Sequence, residues 1–495
     1  MHHSTKHGAT VVAAFFLMAV LNYAFGVALS WLFPPEEYGV LGVAQSLLLV
    51  TALVASSGFA WTANRDIAGG EITEETQRRF RAAWLANTAL GALVAVALWA
   101  AYAVGWLPFG PAYREVIPLV GLTTIVLSAR AVLNGAMRGL SRFGALALNQ
   151  VSEVVIKAVA GLGLVALGMG AAGVMAGFTI GALLALAHCL WAVRDRRLWH
   201  GSGWFDRDVL VGTLPLFVGM FGPALMLNLD VLGLKLLSPA NLGDELAGYY
   251  QAAIILARTP VFVAQALTMV LFSYVAGGKK KGDAEGYMGG ALRAWARLLL
   301  PIGLTLSLAP EAMLSLFFPP DYLAAAPALR AAAIGGVLLA LVTLVSGVAQ
   351  GAGERRRSTV AALLGVLVQV VVLVWAVPGM GALGAALSLV AAAVVSLLVL
   401  LPVALRHLNV EEARASLGAA TTELFPLLAL MVPLLLLPGS NRTEALLKLV
   451  VAGVAYVVAL VAPRLPFLVQ GRRDVSPERP MGHPLARFVH VLMGG

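Results

Sequence analysis

Stretches of about twenty apolar residues, long enough to cross the hydrocarbon core of a bilayer, recur along nearly all of this 495-residue chain. Roughly fourteen reach that length. With 60% hydrophobic and only 12% charged residues, no soluble fold of this size could cover its apolar surface. The expected class is therefore all-α: a polytopic membrane protein with little chain left over for a soluble domain.

The expected spans are 9–33, 38–62, 82–106, 115–137, 144–168, 171–193, 209–237, 247–275, 289–309, 325–350, 358–377, 381–405, 421–438 and 444–465. The first is too long for a signal-peptide core and is read as a retained span. Cations fill every second gap. Arg65, Arg78, Arg79 and Arg81 follow span two; Arg138 and Arg142 follow span four; Arg194, Arg196, Arg197 and Arg207 follow span six. Lys279–Lys281, Arg355–Arg357, Arg406 with Arg414, and the tail arginines follow spans eight, ten, twelve and fourteen. In the alternate gaps Arg114 and Arg442 are the clear cations, among Glu36, Glu37, Asp244, Glu245, Glu311 and Asp321. Cytoplasmic loops carry the Lys/Arg excess, so both termini are expected in the cytoplasm. The net charge of +9 is then a topology signal, and no nucleic-acid partner is expected.

Segments about 210 residues apart read alike, as an internal duplication would make them. Glu37-Tyr38-Gly39-Val40 opens span two and Ala247-Gly248-Tyr249-Tyr250 opens span eight. Asn134–Gly139 closes span four as Ser346–Gly351 closes span ten, and Gly168–Gly173 matches Gly379–Gly384. Each repeat holds an even number of spans, so both sit the same way up. The expected architecture is two six-helix lobes related by a pseudo-two-fold axis along the membrane normal, with the substrate path between them. The organisation is an N-lobe over 1–200, a C-lobe over 201–415, two further helices over 416–470 and a cytoplasmic tail over 471–495.

Phe33-Pro34-Pro35-Glu36-Glu37-Tyr38-Gly39, Ser57-Gly58-Phe59, Asn64-Arg65-Asp66-Ile67-Ala68 and Gly347–Gly353 carry a family likeness. The chain resembles bacterial polysaccharide-biosynthesis flippases, the oligosaccharide-lipid branch of the multidrug/oligosaccharidyl-lipid/polysaccharide exporter superfamily. The resemblance implies a central cavity, a bacterial inner-membrane location, and flipping of an undecaprenyl-pyrophosphate-linked glycan to the outer leaflet. Partners would be that lipid-linked glycan, membrane lipids, and a glycan polymerase or export machinery. The extra last two spans could form a groove for the lipid tail. Peptidoglycan-precursor flippases of the superfamily also have fourteen spans, so the count does not separate the branches.

Ionisable groups inside spans are costly and usually face a cavity. Arg130 lies about two turns from the inner end of span four. Glu153 and Lys157 of span five share a helix face and can pair. Asp230 and Lys235 stand in the outer part of span seven, Arg258 near the middle of span eight. Arg330 and Lys448 are near outer ends, His188 and Glu423 near inner ends. A guanidinium fork suits phosphate oxygens, which makes Arg130 and Arg258 candidates for the pyrophosphate, with Lys157 beside them. Arg65 is either a substrate contact or an orientation charge. Asn22, Gln45 and Gln369, the last at the repeat position of Lys157, offer amides to sugar hydroxyls. Helix–helix bonding is the competing role for such groups. Asp230 and Glu153 are the ion-coupling candidates; Asp230 could instead bridge to Lys235 or Arg258. Pro215 and Pro223 in span seven and Pro260 in span eight mark expected kinks.

Enzymatic signatures are missing from the sequence. It has no phosphate-cradling Gly-Lys-Ser/Thr loop, no histidines at metal-ligand spacing, and one cysteine, Cys189. No cofactor and no catalytic residue is expected. Two other functions compete with the flippase. A cation-coupled multidrug exporter would have acidic groups dominating its cavity. A membrane-embedded glycosyl-transfer enzyme would need a sizeable outer loop.

Overall fold

The computed structural model describes residues 17–56, 58–68, 71–200, 202–277, 283–407, 425–437 and 441–461. Lys279–Lys281, Glu423 and the tail over 471–495 lie outside the described residues. Helices overlie each expected span. They are α1 (Leu17–Ser30), α2 (Pro35–Ser56), α3 (Phe59–Ala68), α4 (Glu74–Ala103), α5 (Val116–Gly139) and α6 (Phe143–Ala166). Next come α7 (Gly170–Val193), α8 (Arg207–Leu237), α9 (Gly243–Ala257), α10 (Thr259–Gly277), α11 (Asp283–Ala294) and α12 (Leu300–Leu308). The rest are α13 (Pro310–Phe317), α14 (Ala326–Gly351), α15 (Arg355–Met380), α16 (Ala382–Arg406), α17 (Phe425–Leu436) and α18 (Arg442–Val461). Among the described residues 9 helices are by themselves long and apolar enough to cross a membrane, or 10 with the bent pair α9–α10.

Two compact units form. One takes the described residues up to Gln251 and Gln369–Ala385; the other takes Ala252–Val368 and those from Ala386 onward.

Local chemistry sets the helix ends. Thr73 caps α4, its hydroxyl accepting from Thr76 N–H at 3.2 Å, ahead of Glu74 and Glu75 in the first turn. Asp206 caps α8 by accepting from Asp208 N–H at 3.1 Å and Val209 N–H at 3.2 Å. Each cap satisfies amide donors that the first helical turn leaves orphaned. The chain between the halves is then tied to α4. Arg81, read from the sequence as a loop charge, is almost wholly buried and donates to the carbonyls of Ser202 (2.5 Å) and Gly203 (3.1 Å).

Segments that read alike in the sequence end or open their helices alike. At the end of α5, Ser141 (φ 55°) donates its N–H to Arg138 O and Arg142 donates to Met137 O. At the end of α14, Gly353 (φ 90°) donates to Gln350 O and Glu354 donates to Ala349 O. Gly170 (φ 54°) opens α7 beside the Glu37 carboxylate, which accepts from Ala171 N–H at 3.0 Å. Gly381 (φ 52°) precedes α16 beside Leu246.

Two spans depart from regular helix. Span eight bends by 41° between α9 and α10, at Arg258 and next to Pro260, which supplies no backbone donor. In span nine a π-helical turn, Trp295–Leu299, stands between α11 and α12. Pro301 cannot donate to the Arg297 carbonyl, and Tyr456 of α18 takes that acceptor with its hydroxyl at 2.6 Å. Proline thus creates the acceptor that anchors the last helix. By contrast α8 runs as a helix through Pro215 and Pro223.

Candidate functional site

In the first unit, polar groups on α1, α5 and α6 gather inside the spans. Arg130 donates from Nη1 to the Glu153 carboxylate. Lys157, one turn further along α6, donates to the Asn22 amide oxygen of α1 at 2.5 Å, and its ammonium lies 4.4 Å from the Phe178 ring centroid. Glu153 and Lys157 therefore find partners on neighbouring helices rather than in each other, although they share a face. Glycines behind them fix α6. A methyl group at Gly177 would stand 2.8 Å from Lys157 O, and one at Gly181 would stand 3.0 Å from Glu153 O. Helix α7 can approach so closely only without side chains there. The group holds two cations and one carboxylate, an excess of one positive charge among apolar helices.

A second cluster stands where α8 gives way to α9. Lys235 pairs with Asp244 at 2.8 Å, and Tyr113 donates its hydroxyl to the same carboxylate at 2.6 Å. Lys235 also lies 5.5 Å from the Tyr113 ring centroid. The bridge considered from the sequence between Asp230 and Lys235 is thus replaced: Asp244 is the carboxylate that Lys235 meets. Asp230 is fully buried, accepts from the Tyr250 hydroxyl at 2.9 Å, and accepts from Val231 N–H at 2.9 Å. Between these levels Gln251 turns its amide towards Gln45, 3.5 Å away.

Other candidates are placed differently. Gln369 is fully buried and donates to Met226 O of α8 at 2.8 Å. Asn87 of α4, also an amide within an expected span, donates to Ser128 O of α5 at 2.6 Å. Both are helix–helix bonds, the competing role for such amides. Arg65 is mostly exposed and pairs with its neighbour Asp66 at 3.0 Å, with Arg79 on the same carboxylate at 2.8 Å. Arg258 is half-buried at the bend of span eight, in the second unit.

Sequence reasoning overlooks four positions that matter here. Arg293 and Arg297 stand four apart within expected span nine, and Arg297 is only 9% exposed; counting cations inside that span would have found them. Tyr113 and Gln251 carry no sequence signal, because their partners are far along the chain. Among the described residues no group of histidine, cysteine and carboxylates could hold a metal ion.

Such an assembly of long apolar helices carrying buried charge is that of a multi-pass membrane protein. The chain superposes on the lipid II flippase MurJ in an inward closed conformation with a TM-score of 0.72 at 14% identity, covering 92% of this chain and 99% of that one. An inward-facing multidrug resistance MATE family transporter of the MOP superfamily gives 0.59 at 16% identity, over 81% and 98% of the two chains. A MATE in complex with MaD3S gives 0.54 at 17%, over 81% and 95%. These likenesses establish the fold. The profile of the polysaccharide biosynthesis protein family matches residues 28–327, and the chain belongs to that family. No curated protein matches the sequence.

Proposed function

We propose that this multi-pass membrane protein flips an undecaprenyl-pyrophosphate-linked oligosaccharide from the cytoplasmic to the outer leaflet of a bacterial inner membrane. It does so by alternating access of its two six-helix repeats, residues 1–200 and 201–415, and without catalysing a covalent step. The observation that carries the reading is the positive excess among Arg130, Glu153 and Lys157 within apolar spans. A cation costs free energy there and is best retained where an anion will meet it. A pyrophosphate supplies that anion. A site for cationic drugs would carry the opposite excess. Arg258, at the bend of span eight, is a separate candidate for contact with an anionic group, and Gln45 is assigned to the glycan. Membership of the polysaccharide biosynthesis protein family supports the substrate class.

Deletion tests the reading. Surface glycan should disappear, the lipid-linked oligosaccharide should accumulate on the cytoplasmic face, and drug susceptibility should stay unchanged. Raised drug sensitivity with intact glycan would replace the proposal with drug export. Rescue of cells depleted of a lipid II flippase would assign the peptidoglycan precursor instead.

Orientation has its own check, in a Cys189→Ser background. Asn241 is exposed between α8 and α9, and Ser141 is exposed after α5. Asn241→Cys should react with an impermeant thiol reagent in intact cells, whereas Ser141→Cys should react only in inverted vesicles. The opposite pattern would reverse the topology. Asp244, in the same gap as Asn241, is unsuited as a reporter because Lys235 and Tyr113 hold its carboxylate.

A further inference from the structure

Helices α2 and α9, the corresponding helices of the two repeats, cross at two glycines. A methyl group at Gly39 would collide with the carbonyl oxygen of Asp244 and lie 2.7 Å from Gly248 N. A methyl group at Gly248 would collide with the carbonyl oxygen of Pro35. Each glycine thus faces the carbonyl four residues before the other. A contact in which each of two partners presents the same patch to the other lies on a two-fold axis. Here the axis is that of the duplication. The repeats are consequently in backbone contact at this point, with no side chain between them.

Two further contacts between the repeats surround the crossing. Tyr113, from the turn before α5, donates to the side chain of Asp244, the residue whose backbone meets Gly39. One helical turn further in, a methyl group at Gly42 would stand 3.0 Å from the Gln251 side chain, and the Gln251 amide faces Gln45. Gln251 is only 7% exposed, and its amide oxygen is buried with no hydrogen-bond partner. The Gln251 amide is therefore reached from outside only when the two helices part. Backbone packing that requires glycine on both sides, set over an amide pair joined by one long 3.5 Å contact, is suited to a contact that forms and breaks.

We propose that the Gly39–Gly248 crossing is the latch that closes the transport path at the outer surface, with Tyr113–Asp244 as its collar. The inference rests on the transport reading and on the orientation given above. Opening outward parts α2 from α9 and exposes Gln45 and Gln251 to the outside. Any side chain at either glycine then disfavours closure.

The test uses Gln45→Cys as reporter in the full-length Cys189→Ser protein, labelled by an impermeant maleimide in intact cells and in inverted vesicles. Gly39→Ala and Gly248→Ala should each speed labelling from outside by about tenfold or more, because a methyl group forced into closed packing shifts the equilibrium by at least that factor. Gly163→Ala, at a position open to space, should label like the parent. Tyr113→Phe, which changes no backbone packing, should produce a smaller gain of the same sign; it keeps the test decisive if the glycine variants fail to insert. Unchanged labelling with normal protein levels would make the crossing a static packing contact and overturn the latch. A gain confined to inverted vesicles would overturn the orientation instead. Because labelling needs no substrate, an error in the glycan assignment alters neither outcome.

Discussion

Lys157→Ala should reduce glycan export by about thirtyfold or more, the usual cost of truncating one member of a buried charged contact, while membrane levels stay normal. The ammonium is held by Asn22 on one side and the Phe178 ring on the other. Neither of these partners is charged, so no ion pair with them has to break before the ammonium meets a phosphate oxygen. Lys157→Arg should recover part of the activity, since charge is restored at a different reach. The competing role is a strut joining α1 to α6. Asn22→Ala separates the two. Under the strut role it should match Lys157→Ala, because both delete the same hydrogen bond. Under the substrate role it should cost far less, because the cation remains. Equal losses in the two variants, measured as surface glycan per unit of inserted protein, would remove Lys157 from the site.

Apolar length made the all-helical membrane class legible, because a bilayer leaves few solutions for a chain with such segments. The ends of α5 and α14 were readable as Gly-containing repeats, and the structure shows why the sequences differ there. Ser141 and Gly353 both adopt positive φ, and serine does so at some strain. The interior charges were readable as a set, but not as pairs. Spacing of four on α6 suggested Glu153 with Lys157, and residue spacing within span seven suggested Asp230 with Lys235. Both inferences used local distance alone. The partners that prevail, Arg130, Asn22 and Asp244, come from other helices or from beyond a turn, where packing decides which head groups meet. The same limit hid Tyr113 and Gln251. Arg81 shows the converse: its position near cationic residues suggested a surface charge, but the linker at Ser202 and Gly203 folds over it and takes its donors.

Asp230→Asn should cut transport by about tenfold or more and abolish its dependence on an ion gradient, while substrate binding persists. A ligand shifts a conformational equilibrium only through different affinities for the two states. A coupling carboxylate must therefore bind its ion in one state and release it in the other. Asp230 suits the role by position: it is fully buried in α8, and Tyr250 of α9 donates to it across the turn. Gly248, in the outer crossing, lies two residues before Tyr250 on the same helix. Movement of α9 when that crossing parts would carry the phenol hydroxyl with it and change what the carboxylate meets. Asparagine keeps one oxygen to accept from Val231 N–H and turns its NH2 to the Tyr250 hydroxyl, which can accept from it, so the substitution removes charge and proton binding while both contacts can still be hydrogen bonds. Tyr250→Phe is the complementary change, deleting the donor and leaving the charge. A purely structural Asp230 would tolerate asparagine and suffer from Tyr250→Phe. A coupling Asp230 would fail as asparagine, whereas Tyr250→Phe would shift the ion concentration needed for half-maximal transport. Full, gradient-dependent export by Asp230→Asn would end the coupling assignment.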